Sequence, residues 1–391
     1  MITVTDALTQ VFSLVSPLQT ETVPLAKAAG RTLAEPAVAN RDQPPFASSA
    51  MDGYAVMGVE VEDDVMFKVI GESAAGHRFD GEVKAGQAVR IFTGAPVPKR
   101  ATRVVIQEDV TRKGDLITLG RELDQSNYIR PAGGDFKVGD KLEAPRVLTP
   151  SDIALLASMN IPQVTVMRRP VVALMATGDE LVMPGEDPGE DQIIASNNFG
   201  LKALIEAHGG EARMLPIARD NRESLEAAFA LCEDADLIVT IGGASVGDHD
   251  LVGQVAGDLG LDRAFYKIAM RPGKPLMAGK INGVPMIGLP GNPVSSMVCG
   301  HIFLLPALRV MLGFAPEPRT RHSATLTEDM PANGPREHYM RARVEGGQIT
   351  PFPRQDSALL TVLSDANALL VRAKDAPEIG KGEPVDYIAL D

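Results

Sequence analysis

At 391 residues and about 150 residues per domain, the chain holds two to four domains, which excludes a single small module. A net charge of -13 excludes a broad nucleic-acid or anionic-membrane face, so any anionic ligand must meet a local cluster of Lys and Arg. Two cysteines, Cys232 and Cys299, without metal-ligand spacing argue against structural zinc, and aromatic residues at 4% with no Trp argue against a stacking groove for single strands.

In chain order, Ala7, Leu8, Val11, Leu14 and Val15 share one face at helical spacing and predict a helix over 6–15. Nothing at the start has the basic, apolar and small-residue order of a secretory signal, so the expected location is cytoplasmic. From about 41 to 137, short β-like runs (66–70, 88–92, 103–107, 116–119) alternate with Gly, Pro and charged turns. A helix over 150–159 follows, with Thr149 as cap, Pro150 at the first helical position and Asp152 completing a capping box. The pattern predicts a β domain (46–137) inserted into a helical linker and dimerisation domain (1–45 with 138–169).

From Pro170 the rhythm is strand 171–176, helix 197–208 capped by Ser196, strand 212–217, helix 221–232 with Asp220 and Glu223 at capping-box spacing, and strand 237–241. That βαβαβ order predicts a doubly wound α/β domain over 170–315 with ligands at the carboxyl ends of its strands. Ile281-Asn282-Gly283-Val284 reads as a type I′ hairpin turn. A helix over 294–312 closes the domain; His301, Pro306 and Arg309 interrupt its apolar run, which argues against a bilayer span. A proline-spaced linker at 315–319 precedes a C-terminal β domain, 316–391, with a hairpin turning at Gly346-Gly347.

The candidate chemistry falls on the strand ends. Gly242-Gly243-Ala-Ser245-Val-Gly247 follows a buried strand, and glycines there let backbone N–H groups approach a phosphate. Thr177-Gly-Asp-Glu180-Leu181 places carboxylates on the same rim as Asp248 and Asp250, a donor set that suits Mg²⁺ with substrate phosphate. Lys267 and Arg271-Pro-Gly-Lys274-Pro275 form a cationic turn in an acidic chain, an anion site. Leu289-Pro290-Gly-Asn-Pro293 fixes a loop ahead of the last helix. In the β insert, Asp52 and Thr93 each sit beside Gly. The isolated histidines give no Ser/His/Asp triad, so acyl transfer has no support.

Six motifs then carry a resemblance in one order: Pro44-Pro-Phe-x-x-Ser-Ala-Met-Asp52-Gly-Tyr-Ala-Val56, Thr93-Gly-Ala-Pro-Val-Pro98, Thr177-Gly-Asp-Glu-Leu181, Gly242-Gly-Ala-Ser-Val-Gly247, Pro272-Gly-Lys-Pro275 and Leu289-Pro-Gly-Asn-Pro293. The whole chain resembles the molybdopterin molybdenumtransferases, the MoeA family that includes the E domain of gephyrin. The resemblance implies an elongated four-domain homodimer whose doubly wound domain binds molybdopterin and whose C-terminal domain is a β-barrel-like module. It implies substrates, adenylylated molybdopterin and molybdate, and products, molybdenum cofactor and AMP, with Mg²⁺ required. By the same resemblance, Asp52, Thr93 and Asp135 line the cleft from the partner's insert, and Glu180, Asp220 and Asp250 act at ligand or metal, with Asp250 and Glu180 as metal ligands. Gly242, Gly243, Ser245, Pro290 and Pro293 shape the ligand pocket. Lys267, Arg271 and Lys274 complete it, and Arg271, Lys274, Arg336 and Ser357 hold molybdate. It also implies transient contact with the adenylyltransferase and with maturation factors of molybdoenzymes.

Two positions depart from the family pattern: Arg271 stands where Lys is common, and Ala358 follows Ser357 where many relatives carry Gly or Ser. The rival readings are a molybdopterin adenylyltransferase, which resembles only 170–315 and needs no flanking β domains, a non-catalytic scaffold, and an inactive or tungstate-preferring paralogue.

Overall fold

The computed structural model describes residues 1–243 and 251–390. Two compact units divide the chain: one comprises Met1–Glu21, Gly30–Ala34 and Val166–Asp391, the other Thr22–Ala29 and Glu35–Thr165.

The first helix, α1 (Val4–Leu14), starts two residues before the predicted position because Thr3 and Asp6 form a capping box. Its apolar stripe, Val4, Ala7, Leu8 and Val11, is buried in the core of the first unit. In the second unit, a six-stranded sheet runs in the order Arg103–Ile106, Gly53–Val56, Gln87–Ile91, Met66–Ser73, Leu116–Leu119, Val110–Lys113. Alternation along these strands sends Tyr54, Val56, Phe67, Ile117 and Leu119 into one small core and Ala55, Ile91 and Val104 into another. Helix α2 (Pro150–Ser158) belongs to this unit and carries the predicted box, Thr149 accepting from the Asp152 amide at 3.2 Å. By this division α1 falls in the first unit and α2 in the second.

The α/β part of the first unit is built on a six-stranded sheet. Its strands are β1 (Val171–Ala176), β2 (Glu211–Met214), β3 (Leu237–Ile241), β4 (Asp262–Tyr266), β5 (Met277–Ile281) and β6 (Val284–Leu289), in the order β2-β1-β3-β6-β5-β4. The first four in that order are parallel, and β5 runs antiparallel to both neighbours. The β5–β6 hairpin turns at Asn282 and Gly283, both with positive φ (50° and 85°), as a type I′ turn requires. Along β1 the side chains alternate: Val172 and Leu174 join a core with α1, α3 (Asn197–Ala207) and the last helix of the domain, while Ala173 and Met175 join one with α4 (Arg222–Ala230) and α5 (Leu251–Asp258). Helices thus cover both faces, as a doubly wound sheet demands.

Three local expectations change. Ser196 makes no capping bond and already has helical backbone angles. Asn221, not Asp220, caps α4, because its extended backbone lets its Oδ1 accept from the Ser224 amide at 2.9 Å. The closing helix is not continuous: α6 (Pro293–Cys299) passes through a π-helical segment, Gly300–Leu304, into α7 (Leu305–Met311). Pro306 lacks an N–H and its ring clashes with the preceding turn, and a wider turn just before it accommodates both. The stretch Pro293–Met311 is 19 residues long with mean hydropathy 1.6, apolar enough by length and composition to cross a bilayer, yet 89% of it is buried as a core helix.

The C-terminal strands close on themselves: Glu337–Glu345, Gln348–Pro351, His322–Leu326, Pro384–Ala389, Ala368–Arg372 and back to Glu337–Glu345. This five-stranded barrel encloses Leu326, Ala342, Ile349, Leu370 and Val385. Tyr339, Leu369, Val371 and Ile388 point the other way, into the α/β core. A short helix, α8 (Leu360–Asp365), interrupts the expected β domain.

Candidate active site

The carboxyl ends of β1, β3 and β6 surround a cleft of about 510 Å³. Glu180, Asp220, Gly242, Gly243, Pro290 and Pro293, all predicted site residues, line it together with Thr177, Asn197, Asn198 and Asn292. This is where a parallel sheet leaves unpaired loops at its switch points.

Glycine is required on this floor. Gly242 and Gly243 have φ of 93° and 63°, and a Cβ on them would come within 2.8 Å of the Thr177 carbonyl oxygen and 2.2 Å of Val252 Cγ2. Thr177 is buried at 4% exposure, and its Oγ1 has no hydrogen-bond partner among the described residues. Gly178 has φ of 147°, and a Cβ there would meet the Glu180 carboxylate at 2.3 Å, so the Glu180 side chain folds over its own turn.

The rim is acidic. Burial, with the neighbouring charges of Asp179 and Glu180, raises the Asp220 carboxyl above its ordinary value. The Asp220 amide donates to Asp179 Oδ1 at 3.1 Å, and helix capping falls to Asn221, so the Asp220 side chain lines the cleft. Among the described residues, no three His, Cys, Asp or Glu side chains group to hold a metal ion. Mg²⁺ takes only one or two carboxylates and completes its shell with water and phosphate, so exposed Glu180 and charge-strained Asp220 fit it. Asp250 and Ser245 lie outside the described residues.

At the far rim, the Asn292 side-chain amide donates to Ser357 Oγ at 3.2 Å, and the Val294 amide to the Ser357 carbonyl at 3.0 Å. Next to Ser357, the Asp356 carbonyl accepts from Arg341 Nη2 at 2.9 Å. Arg341 is fully buried at 0% exposure, and its Nε and Nη1 have no partner among the described residues. Burial, together with the charge of Arg271, pulls its pKa below the ordinary arginine value. Arg271 lies in the strand Met270–Arg271, paired with Glu337–His338 of the barrel. His338, 7% exposed, is driven down to about 4 by burial and then by Arg271, Arg341, Arg336 and Arg372.

The loop that carries Ser357 receives Arg341 through the Asp356 carbonyl, an arginine outside the predicted set, and the charges of Arg271, Arg336 and Arg341 all act on His338. Lys274 is exposed on the cationic turn, and Lys267, at φ of 69°, holds its Nζ over the Tyr266 ring at 5.1 Å.

In the second unit, Asp52 and Thr93 come together: Asp52 Oδ1 accepts from the Thr93 amide at 2.7 Å and the Thr93 hydroxyl at 2.8 Å. Those bonds lower the Asp52 carboxyl below its ordinary value. Arg90 lies over the Tyr54 and Phe92 rings and donates to the Gly53 carbonyl at 3.1 Å, bracing the same turn. Asp135 is exposed, its amide donating to the Gln43 carbonyl at 2.9 Å.

Known proteins match this chain from end to end. Residues 2–160 match a model of the MoeA N-terminal region (domain I and II), 173–310 a probable molybdopterin binding domain, and 323–390 the MoeA C-terminal region (domain IV). The molybdopterin molybdenumtransferase of Haemophilus influenzae is 36% identical over 378 residues, covering 94% of this chain and 93% of that protein. The chain belongs to the molybdopterin molybdenumtransferase (MoeA) family. A second member, molybdopterin molybdenumtransferase 2 of Mycobacterium tuberculosis, is 33% identical over 92% of this chain and 93% of its own length. The crystal structure of the molybdopterin biosynthesis MoeA protein from Pyrococcus horikoshii OT3 superposes with a TM-score of 0.84 at 28% identity, covering 100% of both chains.

Proposed function

We propose that this chain inserts molybdate into adenylylated molybdopterin with Mg²⁺-dependent release of AMP, giving the molybdenum cofactor. Its place in molybdenum cofactor biosynthesis, as a transferase, follows from family membership. The observation that carries the finer reading is the joining of a glycine-floored acidic cleft, through Asn292 and Ser357, to the buried guanidinium of Arg341 with its two unpartnered donor atoms.

Gly242 and Gly243 bring backbone close to the ligand's phosphate, and Thr177 Oγ1 is ready to accept or donate beside them. Arg341, Arg271, Lys274 and Ser357 suit a tetrahedral dianion, since guanidinium, ammonium and hydroxyl donors make charge-assisted bonds to oxyanions. Arg341 joins this set together with Arg336, which is half-buried. Glu180 and Asp220, with Asp250, would hold Mg²⁺, which when bound supplies Lewis-acid polarisation of the phosphate. Either water attacks the adenylate phosphorus, the bond to the pterin's phosphate breaks and AMP departs, the pterin's dithiolene sulfurs then displacing oxygens of molybdate as water, or a molybdate oxygen attacks and breaks the same bond, and the dithiolene sulfurs displace AMP from the resulting adenylyl molybdate. In this reading the protein is a cytoplasmic homodimer in which Asp52, Thr93 and Asp135 of a second copy close the cleft. Segments 46–137, 170–315 and 316–391 are then the insert, ligand-holding and barrel domains, and 1–45 with 138–169 the connecting domain.

The test incubates purified protein with adenylylated molybdopterin, Mg²⁺ and molybdate, and follows AMP together with pterin-bound molybdenum. Molybdate-dependent AMP release is expected. Tight pterin binding without turnover, or AMP release indifferent to molybdate, overturns the reading.

A further inference from the structure

Arg219 sits between β2 and α4, one residue before Asp220, and faces the turn that carries Glu180. Its Nη1 donates to three carbonyls of that turn, Asp179 at 3.0 Å, Leu181 at 3.2 Å and Gly178 at 3.5 Å. The two backbones tie further: the Gly178 amide donates to the Ala218 carbonyl at 3.1 Å, and the Asp220 amide to Asp179 Oδ1 at 3.1 Å. An arginine beside Asp179, Glu180 and Asp220 has carboxylates at hand, yet its guanidinium bonds go to backbone oxygens. All three carbonyls converge on the one nitrogen Nη1, which the planar guanidinium holds in a fixed direction where a lysine ammonium sits on a flexible stem.

We propose that Arg219 is a positioning residue: by capping the carbonyls of the 178–181 turn it holds the Glu180 carboxylate over the cleft beside Asp220 and thereby sets the site's affinity for a divalent cation. The proposal rests on the function proposed above, in which those carboxylates face Mg²⁺. Its sign is diagnostic. Removing a positive charge near two carboxylates would by electrostatics alone tighten cation binding. Loss of positioning weakens it.

The experiment measures Mn²⁺ binding to the full-length protein by electron paramagnetic resonance of the free ion, without pterin. Arg219→Met, which keeps the apolar stem and loses the donors, is expected to weaken Mn²⁺ binding on the order of tenfold. Arg219→Lys should restore only part of the affinity. Adding Glu180→Gln to Arg219→Met should cost little more, because the first change has already displaced that carboxylate. In turnover, Arg219→Met should raise the Mg²⁺ concentration for half-maximal AMP release by the same factor, with the rate at saturating Mg²⁺ recovered. Unchanged or tighter Mn²⁺ binding in Arg219→Met overturns the proposal, as does a loss fully additive with Glu180→Gln or a wild-type protein that binds no Mn²⁺. A wild type that binds Mn²⁺ but releases no AMP instead overturns the transferase reading and leaves the Arg219 result standing.

Discussion

Replacing Arg341 with Met should make the ligand-free protein more stable while destroying its response to oxyanions. Arg341 is fully buried, keeps one side-chain hydrogen bond, Nη2 to the Asp356 carbonyl, and among the described residues leaves Nε and Nη1 unpartnered. Unsatisfied buried donors cost roughly 1–3 kcal/mol each, and the bond given up returns about 1–2 kcal/mol. Methionine refills most of the stem volume, so the net expectation is a gain of about 1–4 kcal/mol, as for buried charges replaced by apolar side chains. For a folded body of this size that is roughly 2–4 °C in Tm per kcal/mol. The chain has no Trp, so far-UV circular dichroism follows urea and thermal unfolding. Molybdate at about 100 times its Kd should add about 2.7 kcal/mol to the wild type and nothing to the variant. A variant less stable than wild type in oxyanion-free buffer, or one that molybdate still stabilises, refutes the reasoning that this guanidinium is buried for an anion.

Other consequences are equally direct. His338 is held neutral, with its pKa driven from 6.5 to about 4, so the unfolded chain binds the extra proton between those values. Stability should fall as pH drops through that window, by on the order of 3 kcal/mol, and His338→Gln should flatten the fall in urea titrations at pH 7 and 4.5. Gly243→Ala forces a Cβ to within 2.2 Å of Val252 Cγ2 at φ of 63°. It should cost about 1–3 kcal/mol and abolish pterin retention in equilibrium dialysis, whereas Gly257→Ala, in open space on α5, should retain it. Thr93→Val removes one of the two bonds that lower the Asp52 carboxyl. The stability tied to Asp52 is present above its unfolded value and lost as pH falls through the lowered folded one, so the variant's Asp52 carboxyl resonance should titrate at higher pH than in wild type.

Much of this architecture was legible because local and long-range preferences agree. Strands β1 and β3 lie in the middle of a parallel sheet, so they read as unbroken apolar runs, and the structure returns 171–176 and 237–241 at the predicted ends. Asn282-Gly283 and the Thr149–Asp152 box encode their geometry in adjacent residues. What stayed hidden depends on distant partners. Asn221 rather than Asp220 caps α4, its Oδ1 accepting from the Ser224 amide, while the Asp220 amide is tied to Asp179, 41 positions away. Arg341 reaches the loop that carries Ser357 through the Asp356 carbonyl, 15 positions away in the chain. Helix α8 is six residues of mixed polarity with no buried residue, too short to show a period.

The strand Met270–Arg271 pairs with Glu337–His338, so a piece of the cationic turn is stitched into the edge of the barrel. For protein engineers this moves the natural crossover point. A chimera that exchanges barrels between relatives at the proline linker, the obvious place to cut, severs a ladder whose other rail lies some 50 residues upstream of it. The transplanted barrel would meet a foreign rail, and Arg271 would lose the neighbours with which it shares charge. Modular exchange in this family should therefore travel with the 270–271 segment, and two regions that the chain order separates must change in step.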